Sequence, residues 1–321
     1  MNEESPDVNK NSASNMLKFW RAAVFVLLGV VIFGQIFAIE IRPKIDLQSL
    51  LALKEEPAKI NKESVAPDVS DIQKQVLPQE GVMLPITWGD LGERMVGDGV
   101  IDEAKFKGVF ANGLKDDEED ILSGNWDKKI VMTQDNSHFL LNMLWAFGLA
   151  NKNEILESGE MVDKKYGGDP SKYASTGGWS LMRGEVMNHY SKHSYVVLTT
   201  GEQEIVDRVS RGIFRPCCGN STHFPDCNHG MAMLGLLELM AANGASEYEM
   251  YKVALKVNSF WFPQTYIDLA TYFKEQGVDW SNVDPKLVLG SQYSSAQGYK
   301  DTRLKIQSLP KPATGGGGCG A

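Results

Sequence analysis

Residues 215–243 read RPCCGNSTHFPDCNHGMAMLGLLELMAAN, a cluster of soft metal ligands running straight into an apolar stretch. Cys217, Cys218 and Cys227 are three of the chain's four cysteines, and His223 and His229 are two of its five histidines. From Met231 to Ala242 the only charge is Glu238. A helix that is hydrophobic on nearly all sides is a buried one. The sequence therefore sets the ligand cluster at the mouth of a domain's central helix.

The cluster follows the pattern C-C-x4-H-x3-C-x-H. Thiolate and imidazole are the ligands of tetrahedral Zn²⁺, and thiolates also select Cu(I) and iron–sulfur centres. Zinc is the first expectation, with copper or iron as alternatives, and Cys217, Cys218, His223, Cys227 and His229 form the ligand pool. Cys227 lies just before the helix N-terminus, where the dipole favours a thiolate. The spacing lacks the common C-x2-C pairs, so two other readings stand beside the metal site. In one, Cys217 or Cys218 forms a disulfide with Cys227 and staples a loop. In the other, the thiols are redox-active.

Working outward, the flanking sequence predicts helices and little else. Asp135 or Asn136 starts one over Ser137–Ala150. Asp102, Thr200, Ser246 and Asp284 read as caps of helices at 103–110, 202–213, 247–262 and 285–289. Another is expected over Trp179–Lys192, where Trp179, Met182, Val186 and Tyr190 share a stripe. It would bring Glu185, His189 and His193 to neighbouring positions on one side. Those histidines read as core or interface residues, since a third local ligand is missing. The only strand-like piece is Tyr195–Thr199. The expected fold is an all-α, multi-helix domain over 83–307.

Phe19–Ile39 has a different character, with Arg21 at its edge as the single charge. Roughly 20 apolar residues cross a bilayer core of about 30 Å. The residues before a cut after Ala38 fit signal-peptide cleavage poorly. The segment 19–39 therefore reads as a transmembrane signal-anchor. Residues 1–18 precede it as a disordered tail, and 40–82, with Pro43, Pro57, Pro67 and Pro78, follow as a stalk. Lys and Arg flank the span almost evenly, but a short tail before a long domain favours a domain outside the cytoplasm, in the cell envelope. Residues 308–321 form a Gly-rich tail carrying Cys319. That cysteine is either idle on a disordered arm or a mobile thiol that swings into the cluster.

Net charge is −9 without a clustered Lys/Arg patch, which argues against nucleic acid as a partner. The membrane is the expected partner, and a protein partner is left open. Nothing marks an enzyme: there is no Gly-rich phosphate loop, serine nucleophile elbow or diagnostic carboxylate pair. The functional expectation is a membrane-anchored metal-binding domain, structural or metal-handling. The alternatives are a disulfide-stapled envelope scaffold and, third, a thiol-redox protein.

Overall fold

Residues 69–309 are described by a computed structural model. The segments read as tail 1–18, span 19–39 and most of the stalk lie outside the described residues, as does Cys319. Among the described residues no helix is long and apolar enough to cross a membrane.

Two helices that are apolar all round form the centre. The first, Ser137–Ala150, buries all but His138 and Trp145, and the second, Asn228–Ala242, buries every residue from Gly230 to Ala241. They cross at glycines, because a larger residue there would collide with backbone. A Cβ on Gly148 would lie 2.3 Å from the carbonyl oxygen of Met231, and one on Gly235 would lie 2.7 Å from that of Leu144. Forcing atoms into such a contact costs about 1–3 kcal/mol. Gly148→Ala should lower stability by that order in urea unfolding. Gly97→Ala, in an exposed turn of helix with nothing within 4 Å of the added methyl, should be neutral or slightly stabilising. Equal effects at the two positions would refute the close-approach account.

The remaining elements wrap this pair. We label α1 (Val69–Val76), β1 (Val82–Leu84), β2 (Ile130–Met132), α2 (Ser137–Ala150), α3 (Thr200–Gly212), α4 (Asn228–Ala242), α5 (Glu247–Trp261) and α6 (Pro263–Glu275). Shorter helices fill the connections. Several caps are the expected ones: Asp102 accepts from the Lys105 amide, Ser246 from Glu249 and Asp284 from Lys286. At α3 the cap is Thr199 instead of Thr200, in a reciprocal pair with Glu202.

The protein is mostly helical, and the departures from the expected pattern have local causes. β1 and β2 pair antiparallel, Val82 opposite Met132, burying Val82, Leu84, Ile130 and Met132. Three residues per strand are too few to show alternation in the sequence. The strand-like Tyr195–Thr199 pairs with no strand, and its Val196 amide donates to Asn151 Oδ1. No α-helix forms over 179–192, where the only helical piece is a single 3-10 turn, Val186–Asn188. Gly184 turns the chain at φ 76°, and the amides of Ser191, Lys192 and His193 instead reach the last carbonyls of α2, Leu149 and Ala150. Those carbonyls are the ones a helix end leaves without partners.

Folded structure also begins before Met83, inside the stretch read as stalk. Pro67 and Pro78 bracket α1, whose Ile72 and Val76, four apart on one face, are buried. Ile72 lies with Ala270 of α6 and Trp280. At the other end, the amides of Gln307 and Ser308 donate to Glu275 of α6.

Candidate metal centre

The loop between α3 and α4 is tied at several points before any side chain is considered. Phe214 donates to the Leu289 carbonyl, Thr222 to Ile213, and Cys218 to Arg215 across a tight turn. The Cys218 carbonyl accepts from Ala296, and the Asp226 carbonyl from Ser175. Cys227 is the N-cap residue of α4 in extended conformation. The expected position of this cysteine at a helix N-terminus therefore holds.

Within that loop the sulfurs of Cys217, Cys218 and Cys227 converge, all lying within 4.8 Å of one another. The Cys217 and Cys227 sulfurs lie 3.5 Å apart. Such a trio can hold a metal ion. The contact is well beyond the S–S bond length of about 2.05 Å, and all three cysteines are half-buried thiols.

Beneath the trio sits Arg215, only 1% exposed. Its Nε donates to Cys227 Sγ at 3.1 Å, Nη1 to the Asn220 carbonyl at 3.1 Å, and Nη2 to both the Phe224 carbonyl and Asp226 Oδ1. Gly230, on the first turn of α4, makes room for the guanidinium: a Cβ there would meet Cζ at 2.5 Å. Asp226 is steadied from its other oxygen by Asn220 Nδ2 at 2.9 Å. Burial raises the Asp226 carboxyl above its usual range, against the pull of Arg215.

The three thiols are not equivalent. Hydrogen bonds from Cys217 and Cys218, with the charge of Arg215, hold Cys227 well below the ordinary thiol range despite burial. Cys217 is pushed up by its contacts with Cys218 and Cys227 and by burial. Cys218 is also raised: its contact with Cys217 alone would lower it, but Cys227 and burial outweigh that. The arrangement is three sulfurs gathered beside a fixed cation, with Cys227 the one most favoured as a thiolate.

Neither expected histidine joins the sulfurs. His223 is buried and turned toward α3, with Nδ1 2.5 Å from Glu160 Oε2 and Nε2 2.8 Å from both Asp207 Oδ1 and Arg211 Nη2. It closes the floor of a cleft of about 870 Å³ that Asp207, Arg208 and Arg211 also line. Arg211 first, then His223, holds the Asp207 carboxyl below the usual range. His229, on the first turn of α4, packs its ring on Phe262 and Trp261, with centroids at 4.4 and 5.7 Å. Burial lowers its pKa to about 4, and its buried Nδ1 has no hydrogen-bond partner among the described residues. The five-residue pool therefore reduces to three sulfurs. Two consecutive turns of loop and helix point the imidazoles elsewhere.

The other histidine pair is adjacent, though not on a helix. His189 Nδ1 lies 3.2 Å from His193 Nε2 with stacked rings, and His193 Nδ1 faces Asp98 Oδ2 at 3.4 Å. Among the described residues no third ligand completes a metal group there. Glu238, fully buried on α4, finds neither His nor Arg; Asn151 Nδ2 donates to its Oε2 at 2.5 Å.

Arg215 and Asp226 are the residues of the centre that sequence reasoning overlooked. The one signal was their position: a cation two residues before the cysteine pair and an acid directly before Cys227. Neither a protein-family model, a curated protein nor a solved structure matches the chain, so the chemistry of the thiol trio carries the functional argument.

Proposed function

We propose that this chain is a metal-binding helical domain whose Cys217, Cys218 and Cys227 hold a soft metal ion. Zinc stands first, with copper and iron behind it, since an all-sulfur set suits each of them. The observation that supports the reading is the convergence of three sulfurs within 4.8 Å. Three protein ligands would leave a zinc ion's fourth position open, where closed structural sites use four. That favours handling an ion over using it as a permanent staple. The N-terminal segment 19–39 would serve as the membrane anchor, with the domain outside the cytoplasm.

Elemental analysis of the full-length chain, purified reduced and without chelators, is expected to find about one zinc per chain. Cys227→Ser should lose it. Wild-type protein with intact thiols and no metal would sink the reading. Protease protection in intact against lysed cells tests the orientation.

The 3.5 Å contact between Cys217 and Cys227 favours a second reading. There the pair is a disulfide that staples the loop of a non-catalytic envelope scaffold. Peptide mapping of protein taken directly from cells, with thiols blocked at lysis, separates the two. A 217–227 disulfide in every molecule supports the scaffold.

A further inference from the structure

We propose that the metal-bound and disulfide forms are two states of one centre: oxidation joins Cys217 to Cys227 and expels the ion. This rests on the metal-binding reading above. Closing the bond removes two of the three sulfur ligands at once, and Cys218 alone is a poor site.

The geometry selects the pair. Cys217 Sγ and Cys227 Sγ are already 3.5 Å apart, so the bond, about 2.05 Å long, needs a side-chain movement of roughly 1.5 Å. Cys217 and Cys218 are consecutive, with Cα atoms about 3.8 Å apart. That is shorter than the 4.4 Å or more that disulfides ordinarily span. Cys218 Sγ is turned toward Asp226 Oδ1 and the Asn220 carbonyl, at 3.9 and 4.0 Å. Arg215 Nε, 3.1 Å from Cys227 Sγ, marks that sulfur as the nucleophile. All three cysteines are half-buried, which leaves a small reagent a way in.

The oxidant would be a small-molecule disulfide, RSSR. The Cys227 thiolate attacks one of its sulfurs, forming a mixed disulfide and releasing one RS⁻. The Cys217 thiolate then attacks the Cys227 sulfur, forming the 217–227 bond and releasing the second RS⁻. The two cysteine sulfurs lose two electrons and RSSR gains them. The ion leaves unchanged in charge, with its Cys218 contact alone remaining. A domain facing an oxidising compartment would give up its ion there.

The test uses the full-length chain, reduced and loaded with Zn²⁺, with a zinc-responsive dye in solution. Zinc uptake is scored first, so that failure to bind overturns the metal-binding reading by itself, before any oxidant is added. Oxidised glutathione is then added, and peptide mapping follows the cysteine pairings, Cys319 included. Zinc release in step with a Cys217–Cys227 disulfide is the expected result. Cys218→Ser should close the same disulfide, and Cys217→Ser, lacking the resolving thiol, should stop at the mixed disulfide of Cys227 with glutathione. Zinc retained after the 217–227 bond has formed would overturn the proposal. So would release that tracks a different pairing, whether 218–227, 217–218 or a bond to Cys319.

Discussion

Arg215→Met is expected to cost the domain about 3–5 kcal/mol of stability, the range for removing one partner of a buried ion pair. The side chain is 1% exposed and donates to a sulfur, two carbonyls and a carboxylate. Without it, Asp226 and the Cys227 thiolate are left facing each other with no counter-charge. The carbonyls of Asn220 and Phe224 each lose one donor as well, although Phe224 keeps that of the Asp226 amide. Burial alone would push a guanidinium toward neutrality, yet Cys227, Cys218 and Asp226 together hold Arg215 above its ordinary range. The cation and the anions around it are therefore mutually dependent.

Arg215→Lys keeps the charge but cannot reach four acceptors from one ammonium, since the planar fork matters at such a site. It should recover less than half of the loss. Adding Asp226→Leu to Arg215→Met should restore part of the stability, because one of the two unmatched anions is then gone. Urea unfolding of the three variants provides the check. A loss below about 0.5 kcal/mol for Arg215→Met, the size of an ordinary surface change, would mean that water already reaches the guanidinium.

How much of this was legible in the sequence depends on how local each cause is. The helices 137–150 and 228–242 could be read because their encirclement is written in consecutive apolar residues. The caps at Asp102, Ser246 and Asp284 could be read because each bond closes within three residues. The helix expected over 179–192 rested on spacing alone, and two of its apolar residues are buried for unrelated reasons. Trp179 donates to the Val100 carbonyl and Tyr190 to that of Leu156, so each is anchored to a different part of the core.

The centre divides the same way. The thiol trio was visible because eleven residues, 217–227, contain all three sulfurs and run straight into the helix that positions Cys227. The fate of His223 was not, since its partners Glu160, Asp207 and Arg211 lie 63, 16 and 12 residues away. Nothing within the cluster distinguishes a histidine aimed at a metal from one aimed at a distant carboxylate. Arg215 was in plain view, but its burial comes from Gly230 and from loop carbonyls whose directions only the fold determines.

Glu238 leads to the other large effect, a fall in stability as the pH rises. It is fully buried in the middle of α4, and one carboxyl oxygen, Oε1, has no hydrogen-bond partner among the described residues. Burial raises its pKa from 4.5 to about 8, against a smaller opposing effect of Asn151 and Asn153. The folded chain thus keeps a proton that the unfolded chain loses above about pH 4.5. Over the window from 4.5 to about 8 the unfolded state binds fewer protons, so stability declines with rising pH. The slope for one such group is about 1.4 kcal/mol for each step of one in pH, several kcal/mol across the window. Below the window the contribution is fully present, and above it there is no more to lose. Glu238→Gln has nearly the same shape and nothing to titrate, and its amide oxygen can take the Asn151 hydrogen bond. Its stability should lie near that of the wild type at pH 4.5 and pull ahead as the pH climbs to 8. His229, whose lowered pKa acts below 6.5, and the surface carboxylates affect both proteins alike. The difference between the two unfolding curves therefore isolates Glu238. Parallel curves from pH 4.5 to 8.5 would show that the carboxyl ionises in place, with Asn151, Asn153 or an admitted water compensating its charge.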